Sequence, residues 1–230
     1  MAAQGFFITG TDTDAGKTWV TLALMRAFQD RGLVVSGMKP AASGCEETAL
    51  GLRNADALLI QTQSSVPNEY AAVNPYAFKP PIAPHIAASQ AGVEIDINAV
   101  LSVYDALTRQ NDIVIVEGIG GWRVPLNSHQ SLVDLVRALE LPVILVVGLR
   151  LGCINHALLS AETILSDGLN LAGWAVSHLS SSYSEPDSTL HTLVESIPAP
   201  LLGELPYLNT FNIEVLASRV NIDLVWPTPR

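Results

Sequence analysis

A buried strand that runs straight into a glycine-bounded turn and a helix start leaves a chain few architectures to choose from. Phe7-Ile8-Thr9 leads into Gly10-Thr11-Asp12-Thr13-Asp14-Ala15-Gly16-Lys17-Thr18, which reads as such a unit. It forms a phosphate cradle. Gly16 lets the backbone approach a phosphate, successive N–H groups and the helix start supply positive potential, Lys17 reaches the terminal phosphates, and the Thr18 hydroxyl can hold Mg²⁺. The general pattern asks for glycine where Thr11 stands, and Gly10 comes one position earlier, so this loop is a residue longer. A polar turn ahead of a core helix is the plainer alternative, but strand, loop and helix signals agree on the cradle.

The 230 residues, 49% of them hydrophobic, suit one sizeable α/β domain rather than two. A net charge of −10 and twelve Lys and Arg spread without a cluster argue against a nucleic-acid partner. The start of the chain has no basic region followed by a long apolar run, and the apolar stretch around Val143–Val147 is too short to span a bilayer. The expectation is a cytoplasmic protein with no membrane partner. Cys45 and Cys153 have no CxxC or Cys/His spacing, which predicts reduced structural thiols.

Along the chain, apolar runs and helical periodicity alternate. A first strand at Phe6–Thr9 precedes a helix from Gly16 that is apolar around most of its girth and ends near Arg31-Gly32; Leu33–Met38 gives a second strand. Lys39 and Ser43 then fall just past that strand's carboxyl end, where open α/β sheets collect ligands. Asn54 caps a helix carrying Asp56 in its first turn, where a carboxylate ordinarily only favours the dipole. Five prolines between Ser64 and Pro84 predict an ordered crossover near the site without regular structure. His85 opens a short helix, in a capping or packing role, and Ile97–Arg109 forms another.

Asp112–Glu117 is a buried strand whose apolar run stops at Glu117 and then meets Gly118, Gly120 and Gly121. A carboxylate there faces the phosphate loop, and Mg²⁺ can bind it directly or through water. The pattern continues through a helix at Ser131–Leu139, a strand at Val143–Val147, a helix through Leu165, a strand at Leu171–Ser177, a helix at Leu190–Ser196 and a strand at Leu201–Leu205. The expected fold is a doubly wound, mainly parallel sheet with helices on both faces, of the P-loop NTPase kind. Two lysines and two carboxylates at strand ends imply Mg·ATP chemistry but do not name the acceptor.

The acceptor comes from a resemblance. Gly10–Thr18, Lys39-Pro-Ala-Ala-Ser-Gly44, Asn74-Pro-Tyr76, Val116-Glu-Gly-Ile-Gly-Gly-Trp122, Pro142–Gly148, Leu151-Gly-Cys-Ile-Asn-His-Ala157 and Pro198–Gly203 together resemble the dethiobiotin synthetases, from the first strand to about Leu208. The longer loop is that family's own form. The resemblance implies ATP as co-substrate and Mg²⁺ as cofactor. CO₂ and 7,8-diaminopelargonic acid would become dethiobiotin through a carbamate and a carbamic-phosphoric anhydride. Lys39, Lys17 and Ser43 would be catalytic. Nucleotide contacts would fall to Asp14, Ala15, Gly16, Lys17, Thr18, Asp56, Glu117, Gly118, Ile119, Gly120, Ser177, His178, Pro206, Tyr207 and Leu208. Thr18, Asp56 and Glu117 would hold the metal. Thr13 and Ser43 would meet the substrate, and the turn Gly152, Cys153, Ile154 and Asn155 of a second copy would hold its distant carboxylate, which implies a homodimer with shared sites.

Where this chain has Ser177-His178, the family members it most resembles usually carry Asn-Asp, and there the Asn side chain reads adenine. A single hydroxyl cannot match a carboxamide's paired donor and acceptor, so base discrimination should be relaxed. The rival from another class is a P-loop switch ATPase of the partitioning or septum-site kind. Its signature lysine would fall at Asp12, and the acidic charge and lack of a basic amphipathic C-terminal helix also weigh against it. An amidotransferase-type synthetase would need a glutaminase cysteine, and neither cysteine has that context.

Overall fold

The computed structural model describes residues 4–226. The phosphate-loop strand becomes the middle of the sheet because it is flanked on both sides by fully apolar runs. In chain order, β1 (Gln4–Gly10) leads through the loop to α1 (Lys17–Gln29) and the edge strand β2 (Val35–Met38). Small elements follow: β3 (Ala41–Ala42), a hairpin of β4 (Glu46–Thr48) and β5 (Gly51–Arg53), α2 (Ala55–Gln63), α3 (Tyr70–Val73), β6 (Tyr76–Ala77) and α4 (Pro84–Gln90). The second half alternates regularly as α5 (Ile97–Thr108), β7 (Ile113–Glu117), α6 (Leu132–Leu139), β8 (Val143–Leu149), α7 (Cys153–Ser166), β9 (Leu171–His178), α8 (Pro186–Ser196) and β10 (Leu201–Leu205). It ends in α9 (Ile213–Ala217) and a 3₁₀ turn at Ile222–Leu224.

The main sheet has six strands in the order β10-β9-β8-β1-β7-β2, every pair parallel. With period two, successive residues serve opposite faces. Ile113, Ile115, Ile144 and Val146 join Val20, Leu24 and Phe28 of α1 on one side, while Val114, Val116, Val143 and Leu145 join α5, α6 and α7 on the other. Both faces are covered, which is why these strands read as unbroken apolar runs. The chain turns to opposite sides of β1 on reaching β7 and β8, so the carboxyl end of β1 is the switch point at which such sheets bind ligands.

The proline-rich crossover is ordered, as expected, and more regular than its composition predicts. α3 forms between Pro67 and Pro75, and β6 pairs with β3. Tyr70 fixes it: its hydroxyl accepts from the Asn54 N–H at 2.8 Å and donates to Asn74 Oδ1 at 2.9 Å, with the Arg53 guanidinium 4.1 Å above its ring. Asn54 caps α2 through its side chain, as the sequence predicts. Residues 209–226 lie along α1. Trp19 meets Phe211 edge-on, Phe28 meets Trp226, and Arg31 pairs with Asp223.

Candidate active site

The site is assembled from strand ends. Gly16 occupies the left-handed region at φ 88° as the N-cap of α1, and Asp14 is also left-handed at φ 58°. The first intrahelical bond is Val20 N–H to Gly16 O, so the preceding amides of the first turn are free for an anion. The cradle is braced from two sides. A Cβ on Gly16 would lie 2.2 Å from Ser177 Oγ, and one on Gly148 would lie 2.9 Å from Ala15 Cα, so neither position has room for a side chain.

Lys17, buried at 7% exposure, donates to the carbonyls of Asp12 and Gly120 at 2.7 Å each. Burial pulls its pKa down to about 8; Glu117 opposes the fall and Lys39 adds to it. Lys39 Nζ sits between two carboxylates, 2.5 Å from Glu117 Oε1 and 2.9 Å from Asp56 Oδ2. Burial alone would lower Lys39. The charges of Glu117 and Asp56, with their hydrogen bonds, more than offset it and hold the group above the ordinary lysine range. Thr18 Oγ1 donates to Glu117 Oε1 at 3.0 Å.

These groups line one cleft of about 870 Å³. Around it stand Thr13, Asp14, Gly16, Lys17, Thr18, Lys39, Ser43, Asp56, Glu117, Ile119 and Gly120, with Ser177, His178, Pro206, Tyr207 and Leu208 at the far end. Pro81–Pro84 form a wall that sequence reasoning placed only near the site; the proline cluster was its one signal. Trp19, Val124 and Leu179 also line the cleft, and nothing in the sequence distinguishes them from core residues.

Two expected nucleotide contacts stand outside the lining of this chain's cleft, and so does the turn expected to serve a second copy. Ala15 is 2% exposed and lies outside the lining, so only its backbone can serve a nucleotide. Gly118 also lies outside, and its N–H donates to Ile8 O at 2.8 Å. The turn at Gly152–Asn155 is not part of this chain's cleft; within it Cys153 is buried at 2% and its N–H donates to Arg150 O. His178, at the end of β9, holds Glu204 Oε1 at 2.6 Å through Nε2. His85 follows the first residue of α4, with its Nδ1 buried and without a partner among the described residues.

A parallel sheet with a glycine-lysine-threonine loop after its central strand, and a buried carboxylate closing the neighbouring strand, defines a P-loop nucleotide-binding protein. Solved structures agree on the fold alone. The MinC:MinD cell division complex of Aquifex aeolicus aligns at TM-score 0.55 and 14% identity, covering 96% of this chain and 88% of that one. Signal recognition particle receptor FtsY of Elizabethkingia anophelis, in complex with GDP, aligns at 0.51 and 16%, covering 100% and 65%. A family model described as an AAA domain matches residues 4–214. ATP-dependent dethiobiotin synthetase BioD of Pseudomonas aeruginosa strain UCBPP-PA14 is 50% identical over 218 residues, 94% of this chain and 96% of its own. BioD of Cellvibrio japonicus is 46% identical over 222 residues, covering 96% and 97%, and BioD 1 of Escherichia coli O157:H7 is 48% identical over 206, covering 90% and 92%. The chain belongs to the ATP-dependent dethiobiotin synthetase family.

Proposed function

We propose that this ATP-dependent ligase of biotin synthesis joins CO₂ to 7,8-diaminopelargonic acid (7,8-diaminononanoate) and closes the ring, giving dethiobiotin, ADP and phosphate. The observation that carries the reading is two buried lysines beside the phosphate loop, Lys39 paired with the buried Glu117 carboxylate and Lys17 held by the Gly120 carbonyl, in a chain of this family.

One amine attacks CO₂ and loses a proton, forming a carbamate. A carbamate oxygen attacks the γ-phosphorus of ATP and ADP leaves. The second amine then attacks the carbonyl of the mixed anhydride and gives up a proton, and phosphate leaves with the carbamate oxygen. Lys39 stays charged through these steps and neutralises the carbamate and the transferring phosphoryl group. Ser43 Oγ, buried and without a hydrogen-bond partner among the described residues, is free to donate to the carbamate. Lys17, the loop amides and the start of α1 hold the triphosphate in line.

The donor set suits Mg²⁺, a hard cation that takes oxygen ligands. Thr18, Asp56 and Glu117 offer a hydroxyl and two carboxylates, and Glu117 Oε2 is buried with no partner among the described residues. When bound, the ion would neutralise phosphate charge.

The whole chain serves as one cytoplasmic synthetase domain, and two copies share their sites: the phosphate loop, Lys39 and Glu117 come from one chain and the Gly152–Asn155 turn from the other. No helix among the described residues is long and apolar enough to cross a membrane. Phosphate release from ATP that requires both diaminopelargonate and bicarbonate tests the reaction. Release that ignores either one sinks the reading and favours the switch ATPase. Sharing is tested by mixing Lys17→Ala and Asn155→Asp proteins under subunit exchange. A shared arrangement gives one lesion-free site and restores activity. Sites built within single chains recover nothing.

A further inference from the structure

Arg150 stands in the bend between β8 and α7, and its Nη2 is ion-paired with Asp12 Oδ2 in the phosphate loop. Asp12 is also the residue whose carbonyl takes Lys17 Nζ at 2.7 Å. The Arg150 carbonyl accepts the N–H of Cys153, the first residue of α7, at 3.0 Å. Together with the close approach of Gly148 to Ala15, these contacts seat the bend on the loop. Beyond Arg150 that support ends. Leu151 is 93% exposed, and a Cβ on Gly152 would meet nothing within 4 Å, so neighbouring side chains do little to orient the start of the turn.

We propose that Arg150 is a positioning residue: held by Asp12 of its own phosphate loop, it fixes the Gly152–Asn155 turn that completes the other subunit's site. This rests on the shared-site reading above. The two side chains are 45% and 47% exposed, and a pair so exposed is worth about two- to fivefold in an equilibrium constant. The effect should therefore appear as a modest change in KM for the diamino acid, in the site built on the opposite chain's phosphate loop.

Heterodimers separate the two sites. Lys17→Ala silences the phosphate loop of the chain that carries it. A chain with Lys17→Ala and Arg150→Gln, paired with an unaltered chain, has one working site, which takes its turn from the altered chain. There KM for the diamino acid should rise about two- to fivefold over the heterodimer carrying Lys17→Ala alone, the change falling on KM rather than kcat. In the converse heterodimer, Lys17→Ala on one chain and Arg150→Gln on the other, the working site takes its turn from the chain that keeps Arg150, and KM should not move. Arg150→Lys should restore most of the loss. Asp12→Asn on the Lys17→Ala chain should match Arg150→Gln, and the two together should add nothing further. An unchanged KM in both heterodimers overturns the proposal, and so does a rise confined to the converse one. Restored activity on mixing Lys17→Ala with Asn155→Asp shows that such an outcome counts against Arg150 alone; if that mixing fails, the shared site itself is refuted.

Discussion

The Lys39 ammonium lies 2.5 Å from Glu117 Oε1, and Glu117 has no exposed surface at all. A charge pair this deep is costly to form, and removing one partner costs more than the pair contributes, because the other is left buried and uncompensated. In the proposed reaction the same two residues also face the phosphoryl group and the metal. Stability and catalysis are therefore coupled at one contact.

Lys39→Ala should slow phosphoryl transfer roughly a hundredfold, about 3 kcal/mol in the transition state, while nucleotide binding stays nearly normal. It should also destabilise the fold by about 3–5 kcal/mol, which Lys39→Ala with Glu117→Gln partly recovers. Single-turnover phosphate release and urea unfolding read the two effects separately. Normal turnover with weakened nucleotide binding would remove Lys39 from the chemistry.

Nucleotide binding near pH 8 should take up protons. Burial holds Lys17 at about 8 in the free protein, and a bound triphosphate favours its charged form, so binding raises the pKa and draws a proton from buffer. The sign for folding follows from the same value. The unfolded chain binds the proton more tightly, so Lys17's contribution to stability grows as pH rises from about 8 towards 10.5 and is lost as pH falls through about 8. Calorimetry in buffers of different ionisation enthalpy should show uptake at pH 8 and little at pH 6.5. Equal heats in all buffers at pH 8 would contradict it.

Gly16→Ala should abolish nucleotide binding. The new Cβ would lie 2.2 Å from Ser177 Oγ at a backbone φ of 88°. Ser177→Gly removes the clash but not the strained backbone, so the double variant should regain only part of the affinity. Full recovery would show that strain is unimportant. With a lone hydroxyl at Ser177, CTP or GTP should support turnover within about tenfold of ATP, a difference of about 1.4 kcal/mol. Strong preference for ATP would point to contacts near Pro206–Leu208 instead.

Asp167→Ala should lower the unfolding free energy by about 1–3 kcal/mol without touching the cleft directly. Asp167 takes the Trp122 indole N–H at 2.8 Å and the Arg123 guanidinium at 3.0 Å, while its carbonyl accepts from Arg137 at 3.0 Å. The buried Trp122 gives the readout, a change in tryptophan emission that accompanies the shift in melting temperature.

The sheet was legible because parallel strands covered on both faces need unbroken apolar runs, and β1, β7, β8 and β9 all have them. The phosphate loop was legible because each of its residue types has a separate physical job. The hairpin at Glu46–Arg53 was not: β4 is exposed throughout and neither strand alternates. The β3 and β6 pairing involves two residues on each side and exists only because the crossover brings Tyr76 beside Ala41. Sequence put Lys39 and Glu117 at strand ends, where such sheets collect ligands, and left Asp56 to the family resemblance; the pairing of Lys39 with both carboxylates was not legible, because it depends on where α2 sits against β2. The bracing of Gly16 by Ser177 was hidden for the same reason, since it joins positions far apart in the chain.

The helix that begins at Lys17 is roofed by residues 211–226: Trp226 rests edge-on against Phe28, and Arg31 donates to the Trp226 carbonyl across a separation of 195 residues. During synthesis this outer face therefore stays bare until residues 211–226 have been made and docked. A nascent chain arrested before residue 211 would expose the back of its phosphate-loop helix to chaperones rather than to a finished fold. Nucleotide capture should thus wait on residues 211–226, which are made long after the loop that performs it.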